Sequence, residues 1–275
     1  MDNHPASDRR QRILHIEAVV LKHSDWGEAD RMLWLFSQEQ GKIKALAKGV
    51  RKIRSRKAGH LEPITRAKIQ LAKGRDILMI TQADALDAFL PLREDLAGLT
   101  YASYIIELLD RFTYEEGENR GLYRLLVETL ERLAAEEDRE LVIRFFEIRL
   151  LDLVGFRPQL FRCLGCGEEI TAQDQFFSAL EGGIICPSCA RRGGTGLESG
   201  YQPITTEALK YLRHFQRSNF PDARKARLSR EINREIEVIM QYYLTYLLER
   251  GLNTPAFLRR VRRDQIDKDS PGEAI

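Results

Sequence analysis

The feature that most constrains this 275-residue chain is a pair of short cysteine motifs, "CLGC" at 163–166 and "CPSC" at 186–189. The chain has four cysteines, and all four lie in these motifs, nineteen residues apart. A two-residue spacer lets both thiolates of a knuckle face one point, and two knuckles complete a tetrahedron around Zn²⁺. Cys163, Cys166, Cys186 and Cys189 are therefore the expected ligands of one structural zinc. A closed four-cysteine set leaves no position for a catalytic water. Disulfides fit poorly in an intracellular chain of this size, and a redox switch needs only one reactive pair. The stretch "SALEGGII" between the knuckles is too short for a core of its own, which makes the metal the expected staple. Gly165 and Gly167 suit the tight turn of the first knuckle. Arg162, Arg191 and Arg192 flank the motifs and have two open readings: contact with phosphate, or compensation of the charge of a metal–thiolate centre.

On either side of this irregular segment the hydrophobic period differs. From Ile13 to Phe89 the chain reads as five short strands, "ILHIEAVVLKH", "RMLWLFS", "KIKALAKG", "LEPITRAKIQLA" and "DILMITQADAL", with Pro63 near the start of the fourth. Five isolated strands expose edges that a small closed barrel removes. From about Leu92 the apolar residues recur at helical spacing in three successive segments, which predicts a bundle with acidic outer faces. Helical patterns return at "TTEALKYLRHFQRS", where Thr205 or Thr206 can cap, and at "LSREINREIEVIMQYYLTYLLERG", where Gly251 is the expected residue past the end. The expected fold class is α+β: an N-terminal five-stranded OB-like β-barrel, then an α-helical domain with an inserted four-cysteine zinc ribbon. The expected boundaries are a disordered N-terminus over 1–12, the barrel over 13–90 and a helical bundle over 91–159. The zinc ribbon follows over 160–200, closing helices over 201–263 and a disordered tail over 264–275.

Charge is segregated along the chain. Residues 1–80 hold 17 Lys and Arg against 9 Asp and Glu, whereas residues 81–150 hold 8 against 16. Within "GKIKALAKGVRKIRSRKAG" at 41–59, eight cations stand without a carboxylate: Lys42, Lys44, Lys48, Arg51, Lys52, Arg54, Arg56 and Lys57. With Gly49, Ser55 and Gly59 between them, they suit a flexible arm lying along a phosphate backbone, with strong, salt-sensitive binding through counterion release. Trp26, in the connection between the first two strands, has two open readings: a base-stacking residue, or a plug over the barrel end. Trp34 and Phe36 are expected in the core, and Asp25, Glu28 and Asp30 as turn and salt-bridge residues.

Other function classes lack support. The chain has no Gly-x4-Gly-Lys-Ser/Thr loop, nucleophile elbow or glycine-rich cofactor motif, and its five histidines fall into no metal or triad spacing. No enzymatic activity and no small-molecule substrate are expected. No apolar run approaches a bilayer span, and "MDNHPASDRRQR" lacks the apolar core of a secretory signal, so a cytoplasmic location is expected.

The stretch "EADRMLWLFSQEQGKIKALAKGVRKIRSR" resembles the signature region of the bacterial RecO family of DNA repair proteins, in its zinc-bearing branch. "YYLTYLLERGLNTPAFL" is similar to that family's last helices. The resemblance implies a recombination mediator of the RecF pathway that binds single- and double-stranded DNA and anneals complementary strands. It also implies work with RecR and RecF in loading RecA onto gaps coated by single-strand-binding protein, in association with the nucleoid. The family's DNA-contacting element falls on the eight cations of the basic stretch, and its aromatic before Glu on Trp26, which favours a structural role for that residue. The alternative is a zinc-ribbon adaptor that binds RNA or a protein partner in a transcription or translation complex.

Overall fold

Alternation of apolar and polar residues builds five strands in the computed structural model, which describes residues 13–74, 76–114, 117–135, 138–192, 200–249 and 251–269. These are β1 (Ile13–Trp26), β2 (Asp30–Ser37), β3 (Gly41–Ala47), β4 (Arg66–Lys73) and β5 (Leu78–Asp87). They close into a barrel in the order β1-β2-β3-β5-β4, antiparallel except for a short parallel pairing of β3 with β5. Every second residue turns inward: Ala18 and Val20, Leu33 and Leu35, Ile43 and Ala45, Ile69 and Leu71 form the buried core. The fourth strand starts later than its apolar pattern predicts. Ile64 sits at φ 63°, a left-handed conformation that a β-branched residue adopts only under tertiary constraint. Its N–H bonds the Val20 carbonyl at 2.9 Å and the Thr65 carbonyl accepts from Val20 N–H at 2.9 Å, so "LEPIT" is tied to β1 ahead of β4, and Pro63 precedes the strand.

The chain divides into two compact units, Met1–Leu90 with Tyr114–Val127, and Pro91–Thr113 with Glu128–Ile275. In the first, Tyr123 donates to Glu17 Oε1 at 2.9 Å and Arg66 Nε donates to the same oxygen at 2.7 Å, so one carboxylate joins β1, β4 and the 114–127 segment.

The second unit is largely helical. After a single turn, α1 (Leu90–Arg93), come α2 (Leu96–Phe112), α3 (Arg120–Ala135), whose first half belongs to the first unit, and α4 (Arg139–Leu153). Asp95 caps α2 by accepting from the Ala97 and Gly98 N–H groups, and Asp138 caps α4 through Leu141 N–H. Then follow β6 (Gln175–Ser178), β7 (Gly183–Ile185), α5 (Pro187–Arg192) and β8 (Gln202–Ile204), with sheet order β7-β6-β8. The chain closes with α6 (Thr206–Arg217), α7 (Phe220–Ala223), α8 (Arg230–Leu248) and α9 (Thr254–Asp269). Thr205 is the residue that caps α6, by accepting from Ala208 N–H at 3.2 Å. At the end of α8 the left-handed residue is Glu249, with φ 51°, rather than Gly251. Helix α9 runs to Asp269, into the stretch expected as a disordered tail, because "RRVRRDQIDKD" contains no Gly or Pro. The rest of that expected tail, 270–275, and the expected disordered N-terminus, 1–12, lie outside the described residues.

No helix among the described residues is long and apolar enough to cross a membrane. The helical core contains a buried Arg–Glu pair: Arg144 and Glu147 are 1% and 0% exposed, 2.9 Å apart, and Glu147 accepts from the Tyr104 hydroxyl.

Candidate nucleic-acid interface and metal centre

The basic stretch starts on β3 and continues into the connection to β4. Lys42 is 9% exposed and therefore not a surface cation. Lys44, one residue pair further along β3, points outward. It pairs in register with Trp34 on β2, which pairs with Lys22 on β1, so the three form a row across the outer face of the barrel. The ammonium groups of Lys22 and Lys44 lie 5.1 and 5.7 Å from the Trp34 ring centroid, within cation–π range. Trp34 is thus a half-buried outward residue and not the core residue expected; Leu33 and Leu35 on either side of it occupy the core, and alternation turns it out. Phe36 is buried as expected, at 1% exposure.

The segment after β3 is not a loose arm. Val50 and Leu61 sit in the barrel core at 1% and 0% exposure, which pins both ends of the loop. Burial of each contributes about 1.5–3 kcal/mol. Between them the chain folds as successive turns: Lys52 N–H bonds the Gly49 carbonyl at 3.2 Å, Ser55 N–H the Lys52 carbonyl at 2.9 Å, and Ala58–His60 form one 3₁₀ turn. Gly49, at φ 65°, supplies the left-handed conformation for the first bend.

This loop is also tied to the β1–β2 turn. Gly49 N–H donates to Asp30 Oδ1 at 2.7 Å and Arg51 N–H to the Ala29 carbonyl at 3.0 Å. The Arg51 guanidinium lies 3.2 Å from Asp25 and donates to the carbonyls of Gly27 and Glu28. Asp25 and Asp30 therefore act as turn and salt-bridge residues. Lys57 turns back onto the barrel, donating to the Ile80 carbonyl at 2.9 Å; its half-burial lowers its pKa, against the pull of the Asp30 carboxylate. Six cations of the stretch remain exposed: Lys44, Lys48, Arg51, Lys52, Arg54 and Arg56. Trp26 is 56% exposed at the end of β1 and does not plug the barrel. Sequence reasoning passed over Ile53, which is fully exposed between Lys52 and Arg54. The available signal was a lone large apolar residue inside a run of cations.

In the helical unit the four cysteine sulfurs lie within 4.8 Å of one another. Tetrahedral thiolate ligation of Zn²⁺ at about 2.3 Å places sulfurs about 3.8 Å apart, and the Cys166 and Cys186 sulfurs are 4.0 Å apart. Backbone N–H groups point at the cluster: Gly165 and Cys186 donate to Cys163 Sγ at 3.3 and 3.2 Å, and Cys189 to Cys186 Sγ at 3.4 Å. Burial would push the Cys163 thiol up, but the N–H groups of Cys186, Cys166 and Gly165 outweigh it and bring its pKa down to about 6. A Cβ on Gly165 would stand 3.0 Å from Cys189 Cβ, so a larger residue in the first knuckle would press on the second. These donors and this spacing fit a bound metal cation.

The ribbon does have a small core. Cys163, Ile185 and Ala190 are buried together, with Ile170, Phe176 and Tyr201 packed on them. Residues outside the inter-knuckle stretch complete this core, which is why that stretch alone looked insufficient. Phe177 packs edge-on against Tyr243 of α8, with ring centroids 5.3 Å apart, and Tyr243 donates to the Phe156 carbonyl at 3.1 Å. Of the flanking arginines, Arg192 donates to Cys189 Sγ at 3.0 Å, and Arg162 lies 3.5 Å from Glu169. The first contact favours compensation of the thiolate charge, whereas the second pairs Arg162 with a carboxylate of the ribbon. Arg191 is exposed.

Comparison with known proteins agrees with the two-part organisation. The family model described as Recombination protein O N terminal matches residues 12–89, and the one described as Recombination protein O C terminal matches residues 93–256. A DNA repair protein RecO from Roseiflexus sp. (strain RS-1) is 37% identical over 254 residues, covering 92% of this chain and 88% of the relative. That of Pelotomaculum thermopropionicum is 39% identical over 251 residues, 90% of this chain and 94% of the relative. That of Desulforamulus reducens is 34% identical over 257 residues, 94% of this chain and 98% of the relative.

Proposed function

The chain belongs to the RecO family of DNA repair proteins, and from that premise we propose that it is a non-enzymatic, DNA-binding mediator of recombination. One observation carries this reading: six exposed cations stand on or beside a fastened loop of a five-stranded barrel, with no carboxylate between residues 41 and 59. Cations held in fixed positions neutralise phosphates without first losing loop entropy, and each neutralised phosphate releases counterions. Such a surface gathers two strands and screens their repulsion, so that complementary bases meet. No side chain has to make or break a bond for this.

Trp26 offers an aromatic face beside the cations, suited to stacking an unpaired base. Cys163, Cys166, Cys186 and Cys189 hold one structural Zn²⁺, which fixes the ribbon and supplies no open coordination position. In the cytoplasm, the protein works with RecR and RecF to load RecA onto gaps coated by single-strand-binding protein. A strand-annealing assay tests the reading. The protein should accelerate pairing of two complementary labelled oligonucleotides and leave both intact in Mg²⁺. Pairing no faster than without protein, or cleavage of either strand, would count against it.

A further inference from the structure

Ile53 has a relative exposure of 104%, the highest of any large hydrophobic side chain among the described residues. Single exposed apolar residues are ordinary on protein surfaces; the mounting of this one is not. It occupies the first corner of the turn closed by Ser55 N–H on the Lys52 carbonyl. Exposed Lys52 and Arg54 flank it, with exposed Lys48 and Arg56 nearby in sequence. The turn is borne on a loop whose ends, Val50 and Leu61, are fixed in the barrel core. On the same loop Arg51 is clamped to Asp25 and to the carbonyls of Gly27 and Glu28. A side chain that makes no packing contact gains nothing for the fold by being apolar, yet it is carried on a rigid support.

The neighbouring cations decide what such a tip can meet. They draw a polyanion onto the loop, and the apolar surface that a nucleic acid offers lies on the faces of its bases. We propose that Ile53 is an apolar wedge that inserts between neighbouring bases of bound DNA and parts their stack. This rests on the DNA-binding reading above and adds a residue and a mechanical role to it. Aliphatic wedges of this kind separate base steps in other DNA-bending proteins. Trp26, 56% exposed at the end of β1 beside the turn to which Arg51 ties this loop, provides a second apolar surface for a displaced base. A strand whose bases are partly unstacked presents its pairing edges more readily to a complement.

The test uses a single-stranded oligonucleotide with 2-aminopurine inside an adenine run, since that base brightens when its stack is broken. Wild type should raise its fluorescence on binding. The Ile53→Ser variant should bind with affinity within about twofold and an unchanged salt slope, because no charge is altered, and should lose most of the rise. Ile53→Leu should restore it. Unchanged thermal unfolding of Ile53→Ser is expected, since the side chain has no packing to lose. A full rise with Ile53→Ser, or wild-type binding without any rise, overturns the wedge but leaves DNA binding standing. No binding by any variant at low salt overturns both.

Discussion

Asp30 Oδ1 accepts the Gly49 N–H at 2.7 Å, joining the first residue of β2 to the first bend of the basic loop. A carboxylate beside a nucleic-acid surface opposes binding by charge, yet this one holds the loop in shape. Its two effects can be separated. Asp30→Asn keeps the acceptor oxygen and removes the charge, and should raise affinity for single-stranded DNA slightly. Asp30→Ala removes both and should lower it several-fold, although the protein becomes more positive. Binding titrations at fixed salt decide this, and tightening by Asp30→Ala as large as by Asp30→Asn would show that only charge matters.

Removal of the metal is expected to loosen the ribbon while leaving the barrel folded. Structural zinc sites contribute an apparent 10 kcal/mol or more to folding of small domains, roughly. Here the small core around Cys163 and the Phe177–Tyr243 contact retain part of the structure. Elemental analysis should give about one zinc per chain. Chelation or Cys186→Ser should increase hydrogen exchange over residues 160–192, with little change in β1–β5.

Glu107 on α2 accepts from the backbone N–H groups of Asn253 and Thr254 at 2.8 and 2.9 Å, and so fastens the start of α9. Burial alone would raise its pKa, but the Thr254 hydroxyl, those two N–H groups and Arg111 outweigh it and lower it. A depressed carboxyl pKa contributes stability above the unfolded value of about 4.3, lost as pH falls through the folded value. Glu107→Gln should therefore cost about 1.5–3 kcal/mol near pH 7 and much less once acid has protonated the folded carboxyl. Urea unfolding near neutrality and in acid measures the difference.

The Arg144–Glu147 pair, with Tyr104 on the carboxylate, is sealed in the helical core. Removing one charge strands the other, at a cost of about 3–5 kcal/mol for Glu147→Leu or Arg144→Met. The double variant should recover most of that loss. Chemical denaturation of the three variants checks it; additive losses would mean that the two charges act independently.

Much of this architecture was legible in the sequence because local chemistry dictated it. The Cys-x2-Cys spacing specified the four-sulfur cluster, and the short apolar run "LWLF" and the alternation at "AKIQLA" marked barrel strands. What stayed hidden depended on partners distant in sequence. Lys42 and Lys57 read as two more cations free to grip phosphate, but in the fold the first is 9% exposed and the second turns onto the Ile80 carbonyl. Arg51 read as one grip among eight, whereas Asp25 and the β1–β2 turn make it a clamp. Trp34 read as core because it sits within the apolar run "LWLF", which does not show which face turns inward; the folded strand turns it outward toward Lys22 and Lys44. The left-handed Ile64 carried no sequence signal, since a β-branched residue there is held only by the surrounding fold.

The most direct test of the central claim is the salt dependence of affinity for a fluorescent single-stranded oligonucleotide, wild type beside Lys52→Gln/Arg54→Gln. Both residues are exposed, and neither is the clamp that Arg51 is. The expected result is weaker binding and a log–log slope shallower by about 1.4, two phosphate contacts at about 0.7 each. An unchanged slope with unchanged affinity would mean that the loop is a solvated surface and that DNA, if bound, is held elsewhere.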